Sequence, residues 1–404
     1  MTLPQPLQSR SWCNAMGVRM HPHGIAPTPK KTRERRGHES YFSLVGSRHF
    51  IDRAYARDYH LFYIFAALYC VHQGKKEKEV FMIVDMPLAK LEQYRPALNA
   101  ESDFDAFWTR TVRESDGQPL NASVEEYPFP SDRVTVYRVR YDGFGQNTRV
   151  AGWYLVPQKP YRLEVDGKTP TLVQYHGYSD SKGLPVRQMS WALQGYCVFA
   201  VDTRGQNGET PDNNTYSSGS ILGCMSKGIL DPENYYYRYA YMDCVRAVDF
   251  VRSREETGPI ILAGGSQGGG LTIAVAALSK DKGIAAAMPD VPYLCHFRRA
   301  IEMFADGPYR ELVDFWKKHP YDVEQSYHTL SYFDGMNLAP RITCPTLLSV
   351  GLLDTICPPS TGFAVYNHLT CPKTLKVYPY NGHEGGSEFH EIEKWSFVRS
   401  LLAR

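Results

Sequence analysis

A serine between glycines joins an apolar run to an apolar helical pattern. The segment from Ile260 to Leu271 reads IILAGGSQGGGL and places Ser266 in a Gly-x-Ser-x-Gly pattern. A strand, a sharp turn and a helix in that order are typical of a nucleophile elbow, in which a serine hydroxyl is presented at the turn. Glycines two residues before and after the serine let the strand and the helix approach closely. The pattern predicts a nucleophilic Ser266; the plainer alternative is a glycine-rich turn with a solvated serine.

A serine nucleophile needs a base that takes its proton and an acid that orients the base. After a nucleophile elbow the acid and then the histidine follow along the chain. Asp354 follows a predicted strand at Thr346–Val350, and His383 follows a predicted strand at Leu375–Tyr378, just before the last helix. We therefore expect Asp354 and His383 to complete a catalytic triad with Ser266.

Other residues compete for these roles. Asp290 follows the preceding strand and is the rival acid, whereas Asp354 could be a carboxylate that only caps its loop. His390 is the rival histidine, but the pattern puts it on the last helix. His176 could act as a base, although a structural role in its loop is the preferred interpretation.

An ester hydrolase also needs an oxyanion hole, made of two backbone N–H groups that are each worth about 3 kcal/mol in comparable sites. One donor should be the residue after the nucleophile, which is Gln267. The other should lie in the loop after an early strand, which here reads His176-Gly177-Tyr178. Gln267 and Tyr178 are the predicted donors.

Hydrophobic periodicity predicts the elements that must position these residues. Two alternating segments, Val134–Tyr141 and Val150–Val156, indicate an antiparallel hairpin. A helix precedes it at Ser102–Ser115, and strands then alternate with helices, which favours a mostly parallel sheet covered on both faces. The strands are expected at Thr171–Tyr175, Cys197–Val201, Ile260–Ala263, Ala285–Met288, Thr346–Val350 and Leu375–Tyr378, and the helices at Arg187–Leu193, Tyr236–Arg252, Gln267–Ser279, Ser360–Asn367 and Phe389–Leu402.

This pattern predicts an α/β-hydrolase fold with two insertions, Gln206–Asn234 and the helical, aromatic-rich His296–Asn337. Insertions of this kind usually shape the pocket above the sheet, but most of their aromatic residues are expected to be core or subunit contacts. A formal net charge of +2 over 404 residues gives no indication of a nucleic-acid partner. Nine scattered cysteines without Cys-x-x-Cys spacing favour reduced thiols in a cytoplasmic protein.

The first part of the chain differs from the rest. Residues 1–81 carry 13 Lys and Arg against 6 Asp and Glu, and the remainder carries 32 against 37. The longest apolar run, Leu61–Val71, is too short to span a bilayer. We expect residues 1–81 to be an atypical basic extension, either a disordered tail or translated leader, and 82–404 to be the catalytic domain. Because Lys78-Glu79-Val80 can be encoded by a ribosome-binding sequence, translation is predicted to begin naturally at Met82 or Met86.

The chain from about Met86 to Arg404 resembles the acetyl xylan esterase / cephalosporin-C deacetylase family of carbohydrate esterases. The resemblance rests on several motifs together: Arg204-Gly205-Gln206, Gly264-Gly265-Ser266-Gln267-Gly268-Gly269-Gly270, His383-Glu384, His176-Gly177-Tyr178, Thr329-Leu330-Ser331-Tyr332-Phe333-Asp334 and Pro358-Pro359-Ser360-Thr361. Residues 1–81 have no counterpart in it.

The resemblance implies a cytoplasmic enzyme that uses neither metal nor cofactor and forms a homohexamer. Its substrates would be small acetylated molecules, namely acetylated xylo-oligosaccharides and other sugars and cephalosporin C, with polymeric xylan excluded. It assigns the triad and the oxyanion hole to the residues named above, and gives a supporting role in the loop beneath the site to Arg204 and Gln206.

An acetyl-sized pocket is expected from Tyr178, Pro292 and Ile356, which could crowd longer acyl chains. Because one methylene changes fit by only about 1–3 kcal/mol, the preference should be graded. The alternatives are a general short-chain carboxylesterase, a peptidase of the same fold, and a scaffold that binds ligands without catalysis. A peptidase would usually carry a propeller, and no repeated blades are present in the sequence.

Overall fold

The structure is a computed structural model. It describes residues 84–145, 147–218, 223–303 and 307–403, all of which belong to one compact unit. The predicted extension at 1–81 and the predicted start at Met82 lie outside the described residues.

The described chain forms a nine-stranded sheet in the order β1-β2-β3-β5-β4-β6-β7-β8-β9. Strands β1 to β3 and the β3–β5 pair are antiparallel, and the pairs from β5 to β9 are parallel. The strands are β1 Ser123–Tyr127, β2 Val134–Asp142, β3 Arg149–Pro157, β4 Thr169–Tyr175, β5 Cys197–Val201, β6 Thr257–Gly265, β7 Ile284–Asp290, β8 Thr346–Gly351 and β9 Lys373–Tyr378.

Helices cover both faces of this sheet. They are α1 Leu88–Leu91, α2 Phe104–Asp116, α3 Met189–Ala192, α4 Tyr236–Arg252, α5 Gln267–Leu278, α6 Phe297–Met303, α7 Tyr309–Trp316, α8 Val323–Phe333, α9 Gly335–Leu338, α10 Pro359–His368 and α11 Ser387–Leu402. Short 3₁₀ turns lie at Lys159–Tyr161, Pro185–Gln188, Lys280–Lys282 and Ala339–Arg341.

Alternation along the buried strands explains this arrangement. In β4, Val173 packs into the larger core with α2, α4, α5 and α10, whereas Leu172 packs into a second core with α3 and α11. In β5, Phe199 likewise packs into the larger core and Val198 into the second core. Because successive strand side chains point to opposite faces, a strand that is apolar at every position needs helices on both.

The expected fold is confirmed in its main elements. The hairpin β2–β3 is antiparallel, and α4 and β5 have the predicted bounds. The predicted helix Arg187–Leu193 is instead a 3₁₀ turn followed by the short α3, because Pro185 starts that turn. Strand β1 was not predicted: it is an edge strand with mostly exposed side chains, so its sequence, Ser-Val-Glu-Glu-Tyr, has no alternating apolar pattern.

The apolar run Leu61–Val71 lies outside the described residues. Among the helices of the described ranges, none is both long enough and apolar enough to cross a membrane. The seven cysteines that the structure describes are all free thiols.

Candidate active site

Ser266 lies between the end of β6 and the start of α5, with φ 57° and ψ −120°. A non-glycine residue at positive φ costs of order 1–3 kcal/mol and persists only where neighbouring contacts hold it. Here its N–H donates to the Asp290 carbonyl at 3.0 Å, and its carbonyl accepts from the N–H groups of Gly270 and Tyr293 at 3.1 and 2.9 Å. The backbone therefore holds the serine in the strained turn predicted from sequence.

The neighbouring glycines are needed for close approach. A Cβ on Gly264 would lie 2.5 Å from the carbonyl carbon of Gly268, and one on Gly268 would lie 2.2 Å from the Tyr175 carbonyl oxygen. Both obstacles are backbone atoms, which cannot move without displacing β4 or α5. The Gly-x-Ser-x-Gly pattern is thus a packing requirement of this turn.

Asp354 and His383 form a direct pair. His383 Nδ1 and Asp354 Oδ2 are 2.8 Å apart, and the other oxygen, Oδ1, accepts from the N–H groups of Ile356 and Cys357 at 2.8 Å each. Asp354 is buried, and the His383 side chain is 32% exposed. The carboxylate thus caps its own loop and also contacts the imidazole, while its role as the catalytic acid stays a prediction.

Cys357 lies beside this pair. Its sulfur lies within 4.8 Å of an Asp354 oxygen and a His383 ring nitrogen. Burial raises the pKa of the Cys357 thiol and the Asp354 carboxylate raises it further, while a contact with the Ser266 side chain acts in the opposite direction. The described hydrogen bonds include none between Ser266 and His383; in ligand-free sites such bonds are often long and tighten when substrate binds.

The rival residues are paired with each other. Asp290 Oδ1 lies 2.7 Å from His390 Nε2, and Asp290 Oδ2 accepts from Lys394 Nζ at 2.9 Å. The remaining ring nitrogen of His390, Nδ1, bonds the Tyr378 hydroxyl at 2.9 Å. Burial alone would raise the pKa of Asp290, but Lys394 and His390 together hold it below its ordinary value. As expected, His390 lies on the last helix.

His176 is occupied in its own loop. Its Nδ1 bonds the Gly177 carbonyl at 2.7 Å, and its Nε2 accepts from the Thr203 N–H at 2.8 Å. Burial lowers the pKa of His176, which favours the neutral ring that both bonds require. This geometry matches the structural role preferred from sequence.

The two expected oxyanion donors lie at the ends of neighbouring elements. Gln267 is the first residue of α5, where a helix leaves its N–H groups without intrahelical partners. Tyr178 lies in the loop after β4, and within the described ranges neither backbone N–H has a hydrogen-bond acceptor. Two unpaired donors beside the elbow are what an oxyanion hole requires.

Gln206 joins the two donor segments. Its side-chain amide pairs with that of Gln267 through bonds of 2.8 and 3.1 Å, and its Oε1 accepts from the Ser179 N–H at 2.9 Å. Tyr237, which sequence reasoning did not single out, donates its hydroxyl to Gln267 at 2.9 Å. Gln206 therefore lies where it can fix the spacing between Tyr178 and Gln267.

Arg204 anchors the loop that carries Gln206. Its Nε and Nη2 each donate to an Asp243 carboxylate oxygen at 2.7 Å, and its guanidinium carbon lies 5.1 Å from the centre of the Tyr239 ring. Both partners of the ion pair are almost fully buried. A buried bidentate ion pair of this kind fixes the position of the Arg204 loop, which agrees with the expected supporting role.

Glu311, in the helical insertion, was missed by sequence reasoning. Its carboxylate accepts from the Tyr178 hydroxyl at 2.8 and 2.9 Å and from the Met225 N–H at 3.0 Å. The same hydroxyl accepts from the Cys224 N–H at 2.7 Å. Burial raises the pKa of Glu311. No local pattern distinguishes this glutamate from other polar residues of a helix, so only its tertiary contacts reveal it.

The residues expected to form the acyl pocket lie near the site but in different settings. Pro292 is buried against Gly269 in α5, where an added Cβ would lie 3.0 Å from the proline Cα. Ile356 is half-buried beside the Asp354 carboxylate, and the Tyr178 ring centre lies 6.3 Å from that of Tyr293. The acetyl-sized wall that they would form together stays a prediction.

A strained serine between β6 and α5, with an acid after β8 and a histidine after β9, defines an α/β-hydrolase. The family model "Acetyl xylan esterase (AXE1)" matches residues 81–401. The chain therefore belongs to the acetyl xylan esterase family, a family of carboxylic ester hydrolases, as the sequence motifs indicated.

Solved structures agree with this assignment. An acetyl xylan esterase from a Paenibacillus species is 45% identical, with a TM-score of 0.74, and the match covers 78% of this chain and 99% of that one. Acetyl Xylan Esterase 1 from a Thermoanaerobacterium species is 30% identical, with a TM-score of 0.72, and the match covers 79% and 99%. The curated "Acetyl esterase Axe7A" of Xylanibacter ruminicola is 28% identical over 308 residues, which is 74% of this chain and 66% of that protein.

Proposed function

We propose that this protein is a serine esterase that removes acetyl groups from small acetylated carbohydrates, chiefly acetylated xylo-oligosaccharides, and from cephalosporin C. The observation that carries the proposal is the oriented Asp354–His383 pair beside the strained Ser266. Two relatives of known structure that are named acetyl xylan esterases support the acetyl ester as the bond cleaved.

In the proposed mechanism Ser266 Oγ attacks the acetyl carbonyl carbon while His383 takes the hydroxyl proton at Nε2. Asp354 accepts the Nδ1–H and stabilises the imidazolium that forms. The N–H groups of Tyr178 and Gln267 stabilise the oxyanion. His383 then returns the proton to the leaving sugar hydroxyl, and a water activated by the same histidine releases acetate from the serine.

The test is acetate release from acetylated xylose, xylo-oligosaccharides, polymeric xylan and cephalosporin C, with p-nitrophenyl acetate as reference. We expect activity on the small substrates and its loss in Ser266→Ala with the fold intact by circular dichroism. A wild-type protein inactive on every ester would favour a binding scaffold. Equal rates on p-nitrophenyl acetate and butyrate would favour a general short-chain carboxylesterase and refute the small pocket.

A homohexamer in the cytoplasm is also part of the proposal. Apolar side chains are exposed on α11 and on the segment that packs against it, namely Leu184, Val186, Leu193, Phe389 and Ile392. An apolar surface of this kind is typical of association between copies. Light scattering on the purified full chain should give the mass of six copies; a monomer mass would refute the assembly.

We further propose that translation of the native protein begins at Met82 or Met86. The family model matches residues 81–401, so the proposed start lies at the edge of the matched region. Mass spectrometry of the native N-terminus tests this, and peptides from residues 1–81 in a native extract would refute it.

A further inference from the structure

Three side chains of different chemistry converge where the loop after β8 meets the loop after β9. A carboxylate oxygen of Asp354, the sulfur of Cys357 and a ring nitrogen of His383 lie within 4.8 Å of one another. Among the residues that the structure describes, this is the one such group of acidic, histidine and cysteine side chains close enough to hold a metal ion. The hydrolytic mechanism uses Asp354 and His383 but leaves the thiol without a role.

The loop holds the sulfur in place before any ligand arrives. The N–H groups of Ile356 and Cys357 both donate to Asp354 Oδ1 at 2.8 Å, which keeps Cys357 beside the carboxylate. Cys357 is only 5% exposed, and its sulfur lies within 4.8 Å of the Asp354 carboxylate. His383 is the more exposed member of the group and gives a route from solvent. Little conformational freedom would therefore be lost when a ligand binds there.

The three donor types match a soft divalent cation. Thiolate, imidazole and carboxylate are the ligands that Zn²⁺ takes in proteins, whereas Mg²⁺ and Ca²⁺ take oxygen. Metal–ligand distances of about 2.0–2.3 Å put the ligand atoms of a tetrahedral Zn²⁺ site about 3.5 Å apart. Asp354 Oδ2 and His383 Nδ1 are already 2.8 Å apart, so the cation would take the place of the proton between them with a small outward shift.

We propose that Zn²⁺ binds reversibly to Asp354, Cys357 and His383 and inhibits the enzyme. Binding forms bonds from the metal to Sγ, Nδ1 and Oδ2, and the thiol proton goes to solvent. The hydrogen bond between the imidazole and the carboxylate is lost, and the ring proton moves from Nδ1 to Nε2. A neutral imidazole that carries its proton on Nε2 has no lone pair there. It cannot accept the serine proton, so hydrolysis stops.

Direct binding is tested with Cd²⁺, whose thiolate complexes absorb in the ultraviolet, and with Zn²⁺ as competitor, on the full chain in chelator-free buffer. We expect wild type to bind one more Cd²⁺ per chain than Cys357→Ala, with a thiolate absorption band that the variant lacks and that Zn²⁺ suppresses. Cys371→Ala is the matched control, because Cys371 is also a free thiol but is not in the group. It should keep the wild-type band.

Inhibition is tested by hydrolysis of p-nitrophenyl acetate, with each rate expressed relative to the same variant without metal. The Zn²⁺ concentration for half inhibition should rise at least about tenfold in Cys357→Ala and stay unchanged in Cys371→Ala. A chelator should restore the wild-type rate, and Mg²⁺ should not inhibit.

Two results would overturn the site: a thiolate band of equal intensity in wild type and Cys357→Ala, or equal Zn²⁺ inhibition of both. Cys357→Ser, which keeps the side-chain shape but offers a poor ligand, takes the place of the alanine variant if the latter does not fold. The absorption measurement needs no catalysis. It therefore detects metal binding at this site even if the protein proves not to be an esterase.

Discussion

Two aspartate–histidine pairs lie at the carboxyl end of the parallel strands. In one, Asp354 follows β8 and His383 follows β9; in the other, Asp290 ends β7 and His390 lies on α11. The heavy-atom distances are nearly the same, 2.8 and 2.7 Å. The two pairs differ in what the rest of each side chain contacts.

His390 uses both ring nitrogens within the protein, on Asp290 and on the Tyr378 hydroxyl, and is almost fully buried. Its aspartate also holds the Lys394 ammonium. The carboxylate of Asp354 instead takes two backbone N–H groups, and no Nε2 bond from His383 to a described residue is present. An aspartate–histidine pair can serve as a base only where one ring nitrogen is left for the reacting group.

The largest expected effect separates the two aspartates by activity. Asp354→Asn should lower kcat about 10⁴-fold, because an amide favours the wrong imidazole tautomer. Asp290→Asn, its matched control, should keep kcat of the folded enzyme within about tenfold, since its carboxylate contacts no reacting group. Steady-state kinetics on p-nitrophenyl acetate measures both. Losses of similar size would show that the second pair also takes part in catalysis.

The second effect concerns the contribution of Asp290 to the stability of the fold. Asp290→Asn should lower the free energy of unfolding by roughly 2 kcal/mol at pH 7, because it removes one of the two carboxylates that hold the partly buried Lys394 ammonium, the other being Glu391. The folded-state pKa of Asp290 is lowered, so its contribution is present above the unfolded-state value of about 3.9 and is lost as pH falls through the folded value. Urea denaturation should therefore show a gap between wild type and variant at pH 7 that shrinks below about pH 4. A gap independent of pH would contradict the assignment.

A third effect tests whether Glu311 of the helical insertion positions the loop that carries Tyr178. Glu311→Gln should lower kcat/KM about tenfold, which is 1.4 kcal/mol, because the charged acceptor that holds the Tyr178 hydroxyl is lost. Glu324→Gln, an exposed glutamate of the same insertion, is the control and should change nothing measurable. If both variants behave like wild type, Glu311 does not position the oxyanion loop.

The smallest effect concerns the Tyr378 hydroxyl, which bonds His390 in the Asp290–His390 pair. Tyr378→Phe removes the hydroxyl bonded to His390 Nδ1 and should cost about 1 kcal/mol of stability with kcat unchanged. Thermal unfolding and kinetics on the same preparation measure both quantities. A drop in kcat without a change in stability would connect His390 to the reaction.

Much of the fold and of the site could be predicted from local pattern. Residue periodicity located α4 and β5 with their bounds, and chain order placed Ser266, Asp354 and His383 after β6, β8 and β9. Strand β1 was not predicted because an exposed edge strand carries no apolar alternation. Glu311 was not predicted because a single carboxylate in an amphipathic helix has no distinguishing neighbour in the chain.

The sequence by itself determined the elbow, since a serine at positive φ between closely packed backbones needs glycines two residues away on either side. It also determined the order of acid and histidine along the chain. Only the tertiary structure decided which aspartate meets which histidine, because Asp290 and His390 are 100 residues apart and their pairing depends on how α11 docks. The same holds for Cys357, whose place beside Asp354 and His383 follows from the meeting of two loops.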